Sequence, residues 1–492
     1  MNLPSPPTTS VARWVLPLLL AGLLANLTAW LTLGILPDEA YYWVWSERLQ
    51  AGYFDHAPLI AWLIRPFTAL FGDNALAIRL PGVLGWFVGV GLAFDLARRL
   101  YGRTAGWLAV LAWATLPIVQ VGFHINTPDT PLVLFAWLTF YFAVRALTEG
   151  RETWWLAAGA SAGLCMLGKY PGLLVPVAVL GGLAFSAEGR RRLATRWPWL
   201  GALLATLVVS PMVIWNAQHD WISFAFQFGH GVQSRVDAPL AMAGQFLAGQ
   251  LAVALPWTWF AMAFAALPTR AHRAVGPAFW VLAAGFWLPL VVFGLAGLTA
   301  KSHPNWPVSA YVPGVVLLAG FLARWSERRA VMAAIIGSVL FSYLLVNLIR
   351  FPHWVAALGV PLPPQRTQLS QAYGWDQVGE AVKARLAGRA DCLVVGDRLQ
   401  GTAMLALLIG GARRVVVSNN TRLNQFHLWQ REDPPPTERL CLYVAQFEDD
   451  DVPPENLNLP EQGRWRLEQV LTHRNPDASL RRTALYVPAS SP

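Results

Sequence analysis

Residues 14–36 read WVLPLLLAGLLANLTAWLTLGIL, 23 residues without a charge, and run straight into Pro37-Asp38-Glu39-Ala40-Tyr41-Tyr42-Trp43. Crossing the hydrocarbon core of a bilayer takes about 20 apolar residues. Arg13 precedes the run and no small-x-small cleavage site follows it, so it reads as an uncleaved first span. Comparable runs recur at 75–97, 104–123, 130–147, 154–168, 171–186, 197–215, 241–266, 276–298, 307–323 and 330–349, giving eleven candidate spans.

Composition agrees. Of the 492 residues 55% are hydrophobic and 13% charged, against about 25% charged in a soluble domain. A soluble globular enzyme, a disordered chain and a fibre are excluded. The charge is also uneven. Residues 1–349 hold 34 of the 65 Lys, Arg, Asp and Glu, while the 143-residue tail holds 31, close to a soluble norm. The expected fold is an all-α polytopic membrane bundle over 1–349, with a small soluble α/β domain over 350–492.

Side is read from the cations. One set of alternate loops, with Arg13, holds 15 Lys and Arg, including Arg98, Arg99, Arg190, Arg191 and Arg192; the other set holds six: Arg48, Arg65, Arg79, Lys169, Arg235 and Lys301. Cytoplasmic loops carry the excess, so the N-terminus is expected inside and the tail outside. The net charge of +9 then reflects topology, not nucleic acid.

In the first outer loop, 37–74, residues 38–49 and 57–71 read as two helices at the interface. In the tail, 375–386 reads as a helix, and 392–395, 414–417, 440–445, 466–471 and 484–487 read as strands. Cys392 and Cys441 open two of these strands. Two readings stand: a disulfide if the tail is extracytoplasmic, or two buried thiols. No repeat is evident, which weighs against repeat-built transporters.

Asp38, Glu39, Asp55 and Asp129 all fall on the outer side. Acids at such positions are expensive unless they face a cavity or a partner. Asp38-Glu39 supplies either a helix start or a general base with a positioning partner, and the two are compatible. Asp55-His56-Ala57-Pro58 reads as a turn or as a contact for acceptor or phosphate. Asp129 starts a helix or lines a site. Lys169, and Lys301 with His303 and Asn305, are outer-loop candidates for a phosphate. Asp95 near Arg98 and Arg99 reads as an inner ion pair. There is no Gly-rich phosphate loop, no His-Glu-x-x-His and no Cys–His cluster, so no metal site is expected.

Four stretches together resemble one family. They are Pro37-Asp38-Glu39-Ala40-Tyr41-Tyr42-Trp43 with Gly52-Tyr53-Phe54-Asp55-His56-Ala57-Pro58-Leu59, then Asn126-Thr127-Pro128-Asp129-Thr130-Pro131-Leu132, then His303-Pro304-Asn305-Trp306-Pro307, and in the tail Asn424-Gln425-Phe426-His427-Leu428-Trp429. In this order they resemble glycosyltransferase family 39, membrane enzymes of the GT-C class related to protein O-mannosyltransferases and to the aminoarabinose lipid A transferase.

The resemblance implies a polyprenyl-phosphate-linked sugar as donor, inverting transfer on the outer face of the cytoplasmic membrane, and a glycan, glycolipid or protein as acceptor. It implies Asp38 as base or acceptor-orienting carboxylate, with Glu39 in support and Asp129 lining the same cavity. It leaves Tyr42, Asp55, His56, Lys169, Lys301, His303 and Asn305 as substrate contacts and the need for a divalent metal open. The aminoarabinose enzymes carry a Glu-Lys-Pro-Pro type motif where this chain has Asp55-His56-Ala57-Pro58, which argues against aminoarabinose transfer. The tail has no β-trefoil character, so protein mannosylation is not implied. The competing readings are a flippase of lipid-linked sugars and an assembly partner in envelope glycan synthesis.

Overall fold

A computed structural model describes residues 9–232, 239–269, 275–300, 302–350, 371–389, 391–418, 422–436, 439–447, 451–454, 457, 465–475 and 478–489. Lys301, with the loop cations Arg235, Arg270 and Arg273, lies outside the described residues.

Apolar composition becomes helix almost throughout. Six described helices are long and apolar enough to cross a membrane: Val11–Thr32, Ala75–Tyr101, Asp129–Thr148, Trp197–Gln218, Pro277–Ala296 and Arg329–Arg350. Two bent pairs raise the number to eight. The difference from eleven has two local causes, a proline break in 104–123 and two helices too short to count, while another proline bends 241–266. Pro117 divides 104–123 into Arg103–Thr115 and Pro117–Gly122. Pro256 divides 241–266 into Pro239–Ala254 and Pro256–Ala265, bent by 96°. A proline removes one helical hydrogen bond and clashes with the preceding turn. At that bend Leu255 takes a φ of 66°. The expected spans 154–168 and 307–323 form the shorter helices Trp154–Gly168 and Val308–Ala323.

The chain folds as two compact units, one of Met1–Ala29, His56–Ile60 and Leu80–Asn347, the other of Trp30–Asp55, Ala61–Arg79 and Leu348–Pro492. The first is the helical bundle. Its core includes Trp113, Trp137, Phe140, Phe279 and Phe286, all essentially inaccessible, with Trp113 and Trp137 edge to face at 5.1 Å. Helices Trp154–Gly168 and Trp197–Gln218 meet at Gly159 and Gly201, where a Cβ on Gly159 would lie 2.0 Å from the Gly201 carbonyl oxygen. Apolar helices gain little from leaving lipid, so small residues that admit close backbone contact decide where they meet.

The second unit joins the first outer loop to the tail. Its five-stranded sheet has the order β2-β1-β3-β5-β4, with β1 Leu393–Gly396, β2 Val415–Val417, β3 Leu440–Phe447, β4 Trp465–Asn475 and β5 Ala478–Pro488. Strands β1, β2 and β3 pair in parallel, and β3–β5 and β5–β4 antiparallel. The apolar runs of β1 and β2 suit strands covered on both faces. Helix Trp375–Leu386 forms as expected; the helices Leu399–Leu408 and Gln425–Glu432 were not expected. The latter is capped by the Asn424 side chain, which accepts the Phe426 N–H at 3.0 Å. Cys392 and Cys441 form a disulfide joining β1 to β3 across 49 residues. Cys165 is a free, buried thiol.

Candidate active site

The functional acids lie at two places, one in each unit. In the loop–tail unit, helix Pro37–Ser46 carries Asp38 and Glu39 in its first turn. Leu36 holds the N-cap position, and the Glu39 carboxylate accepts the Leu36 N–H at 3.0 Å. The sequence left Asp38 as a possible helix cap; in the structure Glu39, three residues past the N-cap, makes the capping contact instead.

Glu39 is wholly buried and faces Arg79, itself 2% exposed. Arg79 donates from Nε to Oε1 at 2.8 Å and from Nη2 to Oε2 at 2.7 Å. It also donates to the carbonyls of Leu33 and Gly34, each at 2.7 Å. Such a forked pair fixes both direction and position. Glu39 thereby anchors the end of the first apolar run to the loop.

Asp55 is buried too. It accepts the Tyr41 hydroxyl at 2.5 Å, and its other oxygen meets Arg422 Nη1 at 3.1 Å. Gln425 closes the arrangement. Its backbone N–H donates to the Tyr41 hydroxyl oxygen at 3.0 Å, and its side-chain oxygen accepts the Phe54 N–H at 2.7 Å. The Tyr41 ring lies 5.7 Å from Phe426 and 5.0 Å from Trp45. Tyr42, also buried, packs edge-on to Trp45 at 5.1 Å. Burial raises the Asp55 carboxyl above the ordinary carboxylate range, with Arg422 pulling it down. Burial and then Asp55 hold the Tyr41 hydroxyl well above its usual value.

Asp38 differs from its neighbours. Its side chain is exposed, and among the described residues no group donates a hydrogen bond to its carboxylate. Protein crowds it nonetheless: desolvation and then Glu39 raise its carboxyl, against the pull of Arg422. An open carboxylate with raised proton affinity suits a general base.

In the bundle, Asp129 begins helix Asp129–Thr148. Lys169 Nζ meets its Oδ1 at 2.7 Å and Asn305 Nδ2 donates to its Oδ2 at 2.7 Å. Lys169 follows helix Trp154–Gly168 and is 7% exposed. Gln250 fixes the neighbouring loop, donating to the Pro304 carbonyl at 3.0 Å while accepting the Tyr311 hydroxyl at 2.8 Å. His303 lies 5.4 Å from the Trp306 ring. His56 contacts Gln227 through Nδ1 at 3.4 Å. Asp95 pairs with Arg98 at 2.6 Å and Arg99 at 2.5 Å, the expected ion pair.

Within the loop–tail unit the structure brings Asp55 together with Tyr41, Arg422 and Gln425. Within the bundle it brings Asp129, Lys169 and Asn305 together. Arg79, Arg422 and Gln227 were not foreseen as site residues. A signal existed for Arg79, a cation inside the apolar run 75–97 that demands a partner. Among the described residues no three His, Cys, Asp or Glu side chains are arranged to hold a metal.

Comparison with known proteins agrees with the resemblance. Residues 55–215 match the family described as dolichyl-phosphate-mannose-protein mannosyltransferase. Lipid A galacturonosyltransferase RgtD of Rhizobium johnstonii is 31% identical over 323 residues, 64% of this chain and 66% of that one. An undecaprenyl phosphate-alpha-4-amino-4-deoxy-L-arabinose arabinosyl transferase of Pseudomonas fluorescens is 26% identical, over 70% of this chain and 64% of that one. The chain thus spans just under two thirds of the length of these relatives. The structure of ArnT from Cupriavidus metallidurans bound to undecaprenyl phosphate shares the fold, with a TM-score of 0.63 at 17% identity over 98% of this chain and 99% of that one. By fold and relatives, the chain is a multi-pass membrane protein built on the GT-C fold and similar to the glycosyltransferases of family 39.

Proposed function

We propose that the protein is an inverting glycosyltransferase that moves a sugar from a polyprenyl-phosphate donor to a lipid A-type glycolipid at the outer face of the cytoplasmic membrane. The observation that carries the reading is the state of the acids. Glu39, Asp55 and Asp129 are each held by a cation, and Asp38 stands open. The names of the relatives support the donor and acceptor classes, one acting on lipid A and one using an undecaprenyl phosphate sugar.

The acceptor hydroxyl attacks the anomeric carbon and gives its proton to Asp38. As the new C–O bond forms, the bond to the phosphate oxygen breaks, and the electron pair leaves with the polyprenyl phosphate. Within the bundle, Lys169, held in place by Asp129 and Asn305, is the candidate cation for a phosphate. Asp129 is then a positioning residue, as is Glu39. Tyr42 in the loop–tail unit, and His56 and His303 in the bundle, are the further candidates for substrate contact.

The disulfide supports the outside placement of the tail, because such bonds persist in oxidising compartments. The cation asymmetry supports the same orientation. Mass spectrometry of lipid A from a deletion strain against wild type tests the function. One sugar is expected to be missing and to return with the wild-type gene; unchanged lipid A would count against the glycolipid acceptor.

A further inference from the structure

The tail sheet contains a site that the transfer reaction does not use. Its parallel strands run β2-β1-β3. From β1 the chain steps outward to β2 and then returns past β1 to β3, so the winding reverses between β1 and β3. In open α/β sheets, ligands settle in the crevice beyond the carboxyl ends of the strands at such a reversal.

A cavity of about 390 Å³ lies there, lined by Asp397, Arg398, Tyr443, Gln446 and Phe447, with Pro454 at its border. Asp397 directly follows β1, Gln446 and Phe447 end β3, and helix Leu399–Leu408 starts beside them.

Two polar side chains in this cavity are underused. Asp397 accepts the Gln446 backbone N–H through Oδ2 at 2.9 Å. Its Oδ1 is buried and has no hydrogen-bond partner among the described residues. Gln446 is 9% exposed, and its Nε2 likewise lacks a partner there. Leaving a buried polar atom unsatisfied is costly, so two in one cavity call for a ligand or water.

The chemistry selects the ligand class. A carboxylate accepts from hydroxyls, an amide N–H donates to a hydroxyl or ring oxygen, and Tyr443 and Phe447 offer aromatic carbon to sugar C–H groups. Two acids, Asp397 and Asp451, outnumber the one cation of the lining, Arg398, which pairs with Asp397 at 3.5 Å, so the net negative charge disfavours a phosphate. We propose that this cavity binds a neutral saccharide through a pair of adjacent hydroxyls. The inference holds whether or not the transfer reaction proposed above is correct.

The test uses the full chain in lipid nanodiscs. Saturation-transfer NMR is run with D-galactose, D-glucose and D-mannose at millimolar concentration, and inorganic phosphate is followed by ³¹P line width. At least one sugar is expected to receive saturation, and phosphate is expected not to broaden. Gln446→Leu and Asp397→Asn should each cut the sugar signal at least fivefold, while Asp38→Asn keeps it. Melting followed by Trp fluorescence shows which variants fold, so one folded variant of the pair suffices. No sugar signal in the wild type, a signal unchanged in a folded variant, loss in Asp38→Asn, or phosphate broadening that Gln446→Leu removes would each overturn the proposal.

Discussion

The bundle and the loop–tail unit treat their charges differently. In the bundle, charge is scarce and lies at helix ends, as with Asp95 beside Arg98 and Arg99, or Asp129 beside Lys169. In the loop–tail unit, charge ties distant segments together: Arg79 and Glu39 are both buried, and the buried Asp55 meets a half-exposed Arg422. The first arrangement costs little at Asp95, where water reaches the partly exposed partners, though Lys169 and Asp129 are nearly buried and hold each other. The second is costly and holds only while every partner is present. The loop–tail unit is therefore the more fragile of the two.

The largest effect should come from breaking the buried fork. Arg79→Met leaves Glu39 charged and unpaired, and such losses cost about 3–5 kcal/mol. Removing Asp95 from its partly exposed pair should cost under about 1 kcal/mol. Urea melting of both variants in detergent measures the contrast; equal losses would erase it.

Next comes the disulfide. Closing a loop of 49 residues contributes about 4 kcal/mol in the chain-entropy model. Cys392→Ser, or reductant, should lower the tail's melting temperature and leave the bundle's melting unchanged. Limited proteolysis with separate detection of the two parts reads this.

Third is pH. Desolvation raises Asp397 to about 6 from 3.8. The folded state then holds a proton that the unfolded state has lost, so its contribution to stability falls as pH rises from about 4 to 6, then levels. Asp397→Asn should remove that fall, worth up to about 3 kcal/mol. Parallel melting curves for wild type and variant across that window would refute the assignment. The smallest effect expected in the tail is at Gly374, whose φ is 80° and where a Cβ would lie 2.6 Å from the His473 Cβ. Gly374→Ala should cost about 1–2 kcal/mol, measured by the same melts.

The same comparison explains what the sequence revealed. Long apolar runs announced the bundle because a bilayer demands them. Residues 375–386 and the strands were legible from periodicity. Breaks at Pro117 and Pro256 were not, because a proline in an apolar run is compatible with either a continuous or a broken helix. Helix Leu399–Leu408 was missed since a short apolar run has no clear period. Asp38, Asp55 and Asp129 were singled out as candidates from the side of the membrane on which the sequence puts them. Their partners were not, since Arg422 and Asp55, or Arg79 and Glu39, meet only after folding.

The central claim rests on Asp38 as the one open acid among four. Purified Asp38→Asn, in nanodiscs with an undecaprenyl-phosphate sugar and lipid A, is the direct measurement, with product counted by mass spectrometry. Transfer should fall by about 10²–10⁴-fold while melting stays within a few degrees of wild type. Full transfer by the folded variant would contradict the assignment of Asp38 as the base.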